Sequence, residues 1–156
     1  MAQVPGLRSN YDKTGRLVYV GRMLDKIRLH AAGQLPADYH SNLGLGFDGR
    51  ACAFLRVSYA DLKARTLAGG AGCESPGGTD EEILAWAFAQ GGARTDDECR
   101  WWNSFMMKRG WRDEAAAPLQ QRIKELGLAG KPIETFFDLN EYDEGRDPVG
   151  TSAWMK

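Results

Sequence analysis

The chain has 156 residues, of which 43% are apolar, and its 20 basic and 21 acidic side chains leave a net charge of −1. This length and composition are typical of one globular domain that buries its own core. The balanced charge gives no global attraction to nucleic acid and leaves room only for a local basic patch, so we expect no nucleic-acid partner.

Targeting signals and cysteine motifs are also missing from the sequence. No run of about 18 apolar residues could span a bilayer, and residues 1–15 lack the apolar core of a signal peptide. We therefore expect a cytoplasmic protein with no membrane partner. The cysteines Cys52, Cys73 and Cys99 match no disulfide framework, zinc motif or redox motif, so we expect reduced thiols, with Cys52 and Cys99 in the core.

The first predicted helix follows an irregular arm over residues 1–15, which is rich in proline, glycine and asparagine. From Arg16 to Ala32 apolar residues recur at helical spacing, and Gly33 supplies a stop. Residues 34–47 contain many turn formers and no period, which predicts a long polar loop. A short apolar helix is then predicted from Asp48 to near Arg56, with Asp48 as its N-cap.

Three residues with a hydroxyl side chain, each followed three positions later by an acidic residue, predict three further helix starts. They are Ser58 with Asp61, Thr79 with Glu82, and Thr95 with Glu98. We expect these helices to end at Gly69, Gly91 and Gly110. The glycine-rich segment 69–78 is predicted to be a loop at which the domain could be subdivided.

A helix over 113–126, kinked or delayed by Pro118, and a last helix that begins at Pro132 complete the predicted domain. That domain spans residues 16–143, and residues 144–156 are predicted to form a loose tail. No stretch alternates as a strand should. The predicted fold class is therefore all-α, a compact single-domain assembly of six or seven short helices with a long polar loop and a glycine-rich loop.

The first predicted helix carries two charged residues in an unusual position. On a helical wheel, Arg22 and Asp25 lie beside two aliphatic residues and away from the main apolar face. Since residues three apart can meet on a helix, we expect an ion pair between them, which either ties the helix to the loop or faces a cleft. Lys26 and His30 lie further round the wheel, and we expect both side chains to be in solvent.

Three motifs in order carry a resemblance to a known family: RMLDKIR from Arg22, YHSN from Tyr39 and FDGR from Phe47. Together with TDEEILAW, WNSFMMKRGWRDEA and TFFDLNEYDEGR in the second half, they resemble the longer members of an uncharacterised bacterial domain-of-unknown-function family. The resemblance spans nearly the whole chain. It implies a bacterial origin and a shared fold, and it implies no activity.

The predicted loop carries His40 between Tyr39 and Asn42, where a histidine can act as a general base or as a structural hydrogen-bonding group. An enzyme hypothesis follows, in which His40 is the general base, Asp25 orients it and Arg50 stabilises an oxyanion. Because the chain has two histidines and no paired-ligand spacing, we expect no metal site.

The glycines Gly44, Gly46 and Gly49 match the G-x-G-x-x-G pattern of dinucleotide sites. They follow a polar loop instead of a strand, so we expect no dinucleotide and no other cofactor. Backbone N–H groups at these glycines could still meet an anion, although Asp48 would oppose it.

Large aromatic residues are concentrated in the second half of the chain. Trp102, Phe105 and Met106 share one face of a predicted helix and are expected in the core, whereas Trp101 lies about 100° away. A protein-interaction or homodimer module that uses these tryptophan-rich helices is therefore one alternative hypothesis.

The preferred hypothesis is a small helical binding protein of otherwise unknown function. Its site is expected between the first helix and residues 34–50, where polar residues are concentrated. We expect a polar or anionic small molecule as ligand, with Arg22, Lys26 and Arg50 holding its charge. The candidate binding residues are Arg22, Asp25, Lys26, Tyr39, His40, Asn42, Asp48 and Arg50.

Overall fold

A computed structural model describes residues 3–68 and 77–156, so most of the predicted glycine-rich loop at 69–78 lies outside the described residues. The described part is mainly helical, which confirms the main feature of the predicted fold class. Its elements are β1 (Lys13–Thr14), β2 (Leu17–Val18), α1 (Val20–Ala31), a first 3-10 helix (Ala37–Asn42), α2 (Gly46–Leu55), α3 (Tyr59–Thr66), α4 (Asp80–Gly91), α5 (Asp96–Lys108), α6 (Ala116–Glu125), α7 (Phe136–Asp143) and a second 3-10 helix (Ala153–Met155).

A small β-hairpin corrects the all-α prediction and the predicted start of the first helix. β1 pairs antiparallel with β2, and Gly15 between them adopts a φ of 57°, as a tight hairpin turn requires. Asn103 of α5 accepts a hydrogen bond from Val18 N at 3.0 Å and donates one to Arg16 O at 2.7 Å. Strands of two residues are too short to show an alternating pattern of apolar and polar residues, so they could not be predicted from the sequence.

The three predicted helix starts are confirmed. Thr79 and Thr95, which lie immediately before α4 and α5, each form a complete capping box. The hydroxyl of Ser58 accepts a hydrogen bond from Asp61 N at 3.0 Å. These caps depend on residues within one turn, which is why their spacing in the sequence is informative.

The other two predicted helices of the second half begin later than Asp113 and Pro132. α6 begins at Ala116, so Pro118 lies in its first turn, where its missing N–H costs no hydrogen bond. α7 begins at Phe136, because the hydroxyl of Thr135 caps it by accepting a hydrogen bond from Asp138 N at 3.1 Å.

The main core surrounds α1. All eight residues from Val20 to Ile27 are buried, so the first two turns of α1 are enclosed on every side instead of lying at the surface on one face. The chain on either side of the helical region also contributes, since Leu7 is 3% exposed and Ala153 is 8% exposed. A smaller cluster around Leu119 joins α6 to α7. Side chains of α1 are therefore positioned by contacts from several distant parts of the chain.

Candidate functional site

A cleft of about 650 Å³ lies beside the buried helix α1. Its lining comes from α1, the first 3-10 helix, α2, α6, α7 and the segment that follows α5. Clefts of this size suit small-molecule ligands. Five of the predicted binding residues contribute to the lining, namely Arg22, Lys26, Tyr39, Asn42 and Arg50. Asp25, His40 and Asp48 are not among the lining residues.

Arg22 pairs with Glu144 and not, as predicted, with Asp25. Two nitrogens of its guanidinium donate to the two carboxylate oxygens of Glu144, with Nη1 to Oε2 at 3.1 Å. Both side chains are buried, at 4% and 2% exposed. The expected pair fails because Asp25 is held by Arg8 and because Glu144, 122 positions away, reaches Arg22 after α7.

Glu144 is a junction of several hydrogen bonds. Tyr39 of the first 3-10 helix donates its hydroxyl to Glu144 Oε1 at 2.8 Å, and Arg146 donates to Oε2. Burial alone would raise the pKa of Glu144, yet the hydrogen bond and positive charge of Arg22, with Tyr39 and Arg146, hold that pKa below its ordinary value. The Glu144 carboxylate therefore remains ionised at the edge of the cleft.

Lys26 is buried, which corrects the expectation that it lies in solvent. Its Nζ donates to Asp48 Oδ1 at 2.6 Å and to the hydroxyl of Tyr19 at 2.9 Å, and it is 6% exposed. The wheel correctly placed Lys26 away from the main apolar face, but α2 covers that side of α1 and brings Asp48 to it. Burial lowers the pKa of the Lys26 ammonium, and Asp48 offsets only part of that effect.

Tyr19 completes this buried group and was missed in the sequence, where it fell inside the first predicted helix. It is the N-cap residue of α1 with a φ of 74°, a left-handed conformation that costs energy for an aromatic residue. Its hydroxyl donates to Asp48 Oδ1 at 2.8 Å, and its ring packs on Phe47 and Phe137. Burial and the charge of Asp48 raise its pKa well above the ordinary value. In the sequence, Gly15 was the signal that the chain turns before residue 19 and that the helix starts later than predicted.

The three glycines of the G-x-G-x-x-G match lie around Asp48. Gly44 N, one of the backbone donors that an anion would require there, instead donates to Asp48 Oδ2 at 3.1 Å. Gly46 begins α2, and Asp48 lies in its first turn, where a carboxylate is favourable. The protein's own carboxylate thus occupies this glycine turn.

Arg50 differs from the other cations of the cleft. Its guanidinium lies 5.4 Å from the ring centre of Phe105, which is 41% exposed and not in the core as expected. Within the described ranges, no carboxylate forms an ion pair with Arg50. By contrast, Arg109 pairs with Glu114 at 2.7 Å, although it also lies over the Phe105 ring.

The remaining cleft cations have acidic partners as well. Arg22 pairs with Glu144, Lys26 with Asp48, and Arg122 with Glu125 at 2.7 Å. Arg50 is therefore the cleft cation, among the residues that the structure describes, whose charge is not already matched by an acidic side chain.

Asp25 ties the amino-terminal segment to α1. Its carboxylate accepts three hydrogen bonds from Arg8, from N at 3.0 Å and from Nε and Nη2 at 2.8 Å each. Arg28 lies 2.7 Å from Asp80 in the first turn of α4. Burial opposes the charge of Asp80, but hydrogen bonds from Arg28 and Arg8 lower its pKa. This cluster joins three separate segments.

His40 is exposed, and its Nε2 lies 2.9 Å from Leu35 O. Its ring also packs against His30 with 4.7 Å between ring centres. In the described part of the chain, no hydrogen bond or ion pair joins His40 to Asp25. Residues 3–68 and 77–156 contain no group of three or more histidine, cysteine or acidic side chains that could hold a metal ion.

Trp101 and Trp102 of α5 point in different directions, as their spacing indicated. Trp101 is 68% exposed, whereas Trp102 is 6% exposed and stacks on Phe54. The indole nitrogen of Trp102 donates to Val18 O at 3.2 Å, which joins α5 to the hairpin. Trp102 is thus a structural residue.

These features define a class: a mainly helical protein in which a buried network of charged residues supports a cleft. One arginine of that cleft has no acidic partner among the residues that the structure describes. A family model, described as domain of unknown function DUF5069, matches residues 4–146, and the chain belongs to that family. The match includes every residue that lines the cleft. A search of curated proteins found no match. No helix in the described ranges is both long and apolar enough to cross a membrane.

Proposed function

We propose that this protein binds a small molecule with an anionic group in the cleft beside α1, and that Arg50 contacts that group. The observation that carries the proposal is the position of Arg50: it lines the cleft without an acidic partner in the described chain. A planar guanidinium of this kind can form paired hydrogen bonds with a carboxylate or a phosphate.

Two other cations of the cleft, Arg22 and Lys26, are consistent with the same proposal. Arg22 and Lys26 are already neutralised by Glu144 and Asp48, and their hydrogen bonds hold them in place. Arg22 and Lys26 therefore form a rigid wall of the cleft, and Arg50 is the cation that can bind the anionic group of a ligand. Preformed walls favour binding because little side-chain freedom is lost when the ligand enters.

Apolar residues support a ligand with a partly apolar body. Leu45, Phe47, Leu126, Phe136 and Leu139 share the lining with the charged side chains. These side chains give the carbon skeleton of a ligand a surface to contact. An organic anion, such as a carboxylic acid or a phosphate ester, fits the cleft better than an inorganic ion.

Thermal unfolding with citrate and with inorganic phosphate tests the proposal. Ligand at 100 times its Kd stabilises a protein by about 2.7 kcal/mol, which for this chain length raises Tm by roughly 5–10 °C. We expect citrate to raise Tm more than sodium chloride does at equal ionic strength. Arg50→Gln should abolish the difference.

Arg100→Gln is the matched control, because Arg100 is an exposed arginine of α5 outside the cleft. It should retain the response of the unmodified protein. Equal loss of the response in both variants would mean a general effect of surface charge and would contradict the proposal. No response to either anion beyond that of sodium chloride would contradict it as well.

A further inference from the structure

A second cavity, of about 640 Å³, shares no lining residue with the cleft beside α1. We propose that it binds a planar aromatic molecule with an anionic group. It lies between the end of α5, the segment before α7 and the chain that follows α7. This proposal does not depend on the function proposed for the cleft.

Exposed apolar residues are concentrated at this cavity. Trp111 and Trp154 are each 44% exposed and Val149 is 38% exposed, and all three line it. Single exposed apolar residues are ordinary, but a cluster in a concave surface indicates a binding site. Two indole rings provide flat surfaces on which an aromatic molecule can stack.

The walls of the cavity are held in place without a ligand. The guanidinium of Arg112 lies 4.7 Å from the ring centre of Trp111, and Arg112 does not itself line the cavity. The segment that carries Trp154 is fixed by Asp147, whose Oδ1 accepts hydrogen bonds from Gly150 N at 2.9 Å and from the Tyr142 hydroxyl at 2.8 Å. A side-chain contact therefore holds Trp111, and hydrogen bonds hold the turn that precedes Trp154, before any ligand binds.

Two lysines bring positive charge to the cavity. Lys108 and Lys131 line it, and neither forms an ion pair with a described carboxylate. The acidic residues of the lining are Glu134 and Asp138. Asp138 is 5% exposed and accepts hydrogen bonds from the Tyr11 hydroxyl at 2.7 Å and from Glu134 N at 3.1 Å, so both of its carboxylate oxygens are already hydrogen-bonded. Lys131 Nζ lies 5.8 Å from the ring centre of Tyr142, which does not line the cavity, so the Lys108 ammonium is the cation left to meet a ligand's negative charge.

Part of the cavity wall lies beyond the matched family range. The family model ends at residue 146, whereas Val149 and Trp154 follow it. Trp111 and both lysines lie inside the match. If binding requires Trp154, it depends on a residue that lies outside the part of the chain matched by the family model.

Two related fluorescent probes test the proposal with the full chain. 8-Anilinonaphthalene-1-sulfonate is an aromatic anion, and N-phenyl-1-naphthylamine has the same rings without the sulfonate. We expect the anionic probe to bind, and Trp111→Leu and Trp154→Leu each to weaken it about tenfold, as loss of one stacking surface does elsewhere. Replacing both Lys108 and Lys131 by Gln should weaken the anionic probe and leave the neutral one unchanged.

Trp101→Leu is the matched control, because Trp101 is more exposed than either cavity tryptophan and lies outside the cavity. It should bind the anionic probe as the unmodified protein does, and circular dichroism should show that each variant is folded. Equal weakening by Trp101→Leu would overturn the proposal, and so would loss of binding in Arg50→Gln, which would place the probe in the cleft. A dimer in light scattering that Trp111→Leu dissociates would also overturn it, because the cavity would then be a protein interface.

Discussion

Lys26 Nζ lies 2.6 Å from the carboxylate of Asp48, and the two side chains are 8% and 0% exposed. This pair joins the centre of α1 to the first turn of α2. Arg50 follows Asp48 by two positions on α2 and lines the cleft. The Lys26–Asp48 pair therefore holds in place the helix from which Arg50 reaches the cleft. A buried charge network thus positions an accessible charge.

Lys26→Met should strongly destabilise the protein. It leaves the Asp48 carboxylate buried without its cation, which typically costs about 3–5 kcal/mol. The double variant Lys26→Met/Asp48→Asn removes that unpaired charge and should recover about 2 kcal/mol relative to the sum of the single effects. Urea denaturation of the four proteins measures this coupling.

Lys63→Met provides the control, since Lys63 is exposed on α3 and should change the free energy of unfolding by less than about 0.5 kcal/mol. A Lys26→Met variant as stable as Lys63→Met would show that the buried pair contributes nothing to the fold.

Asp25→Asn should reduce stability without affecting anion binding. Asp25 accepts three hydrogen bonds from Arg8, and weakening this charged contact should cost about 2 kcal/mol. Arg50→Gln should show the opposite pattern, with anion binding lost and stability nearly unchanged. Citrate titration and urea denaturation of both variants distinguish these roles. Loss of citrate binding in folded Asp25→Asn would instead support a role for Asp25 in the site.

Stability should fall on acidification partly because of Glu144. Its folded-state pKa lies below the ordinary value of 4.5, so its stabilising contribution is present above pH 4.5 and is lost as the pH falls through the folded-state pKa. Glu144→Gln should be less stable than the unmodified protein at pH 7, because Arg22 loses its buried partner. The two curves of unfolding free energy against pH should converge below about pH 4.5. Parallel curves from pH 7 to pH 3 would exclude this linkage.

Cys52 should resist alkylation while the protein is folded. Burial, with the charge of Asp48, raises the pKa of its thiol to about 11, and the reactive thiolate is therefore scarce at pH 8. Cys99 is 4% exposed, so both confirm the prediction of core cysteines. Iodoacetamide labelling followed by peptide mass spectrometry should modify these two cysteines only after urea is added. Rapid labelling of Cys52 in the native protein would contradict its burial.

The local features of this protein were determined by the sequence itself. The starts of α3, α4 and α5 follow from Ser58, Thr79 and Thr95, because a cap is formed by groups within one turn. The same reasoning failed for the hairpin at residues 13–18. The sequence there is compatible with both a turn and a helix. Hydrogen bonds between Val18 and the side chains of Asn103 and Trp102 in α5 stabilise the hairpin instead of the helix.

The partners of the charged residues were decided only by the tertiary structure. Five of the predicted binding residues line one cleft, yet the wheel could not show that Lys26 is buried, that Arg22 meets Glu144 or that Asp25 meets Arg8. A helical wheel describes one helix, whereas burial depends on which other segments cover each side of it. The partners in these ion pairs are separated by 17, 22 and 122 positions along the chain. Such pairs form only when folding brings the two segments together.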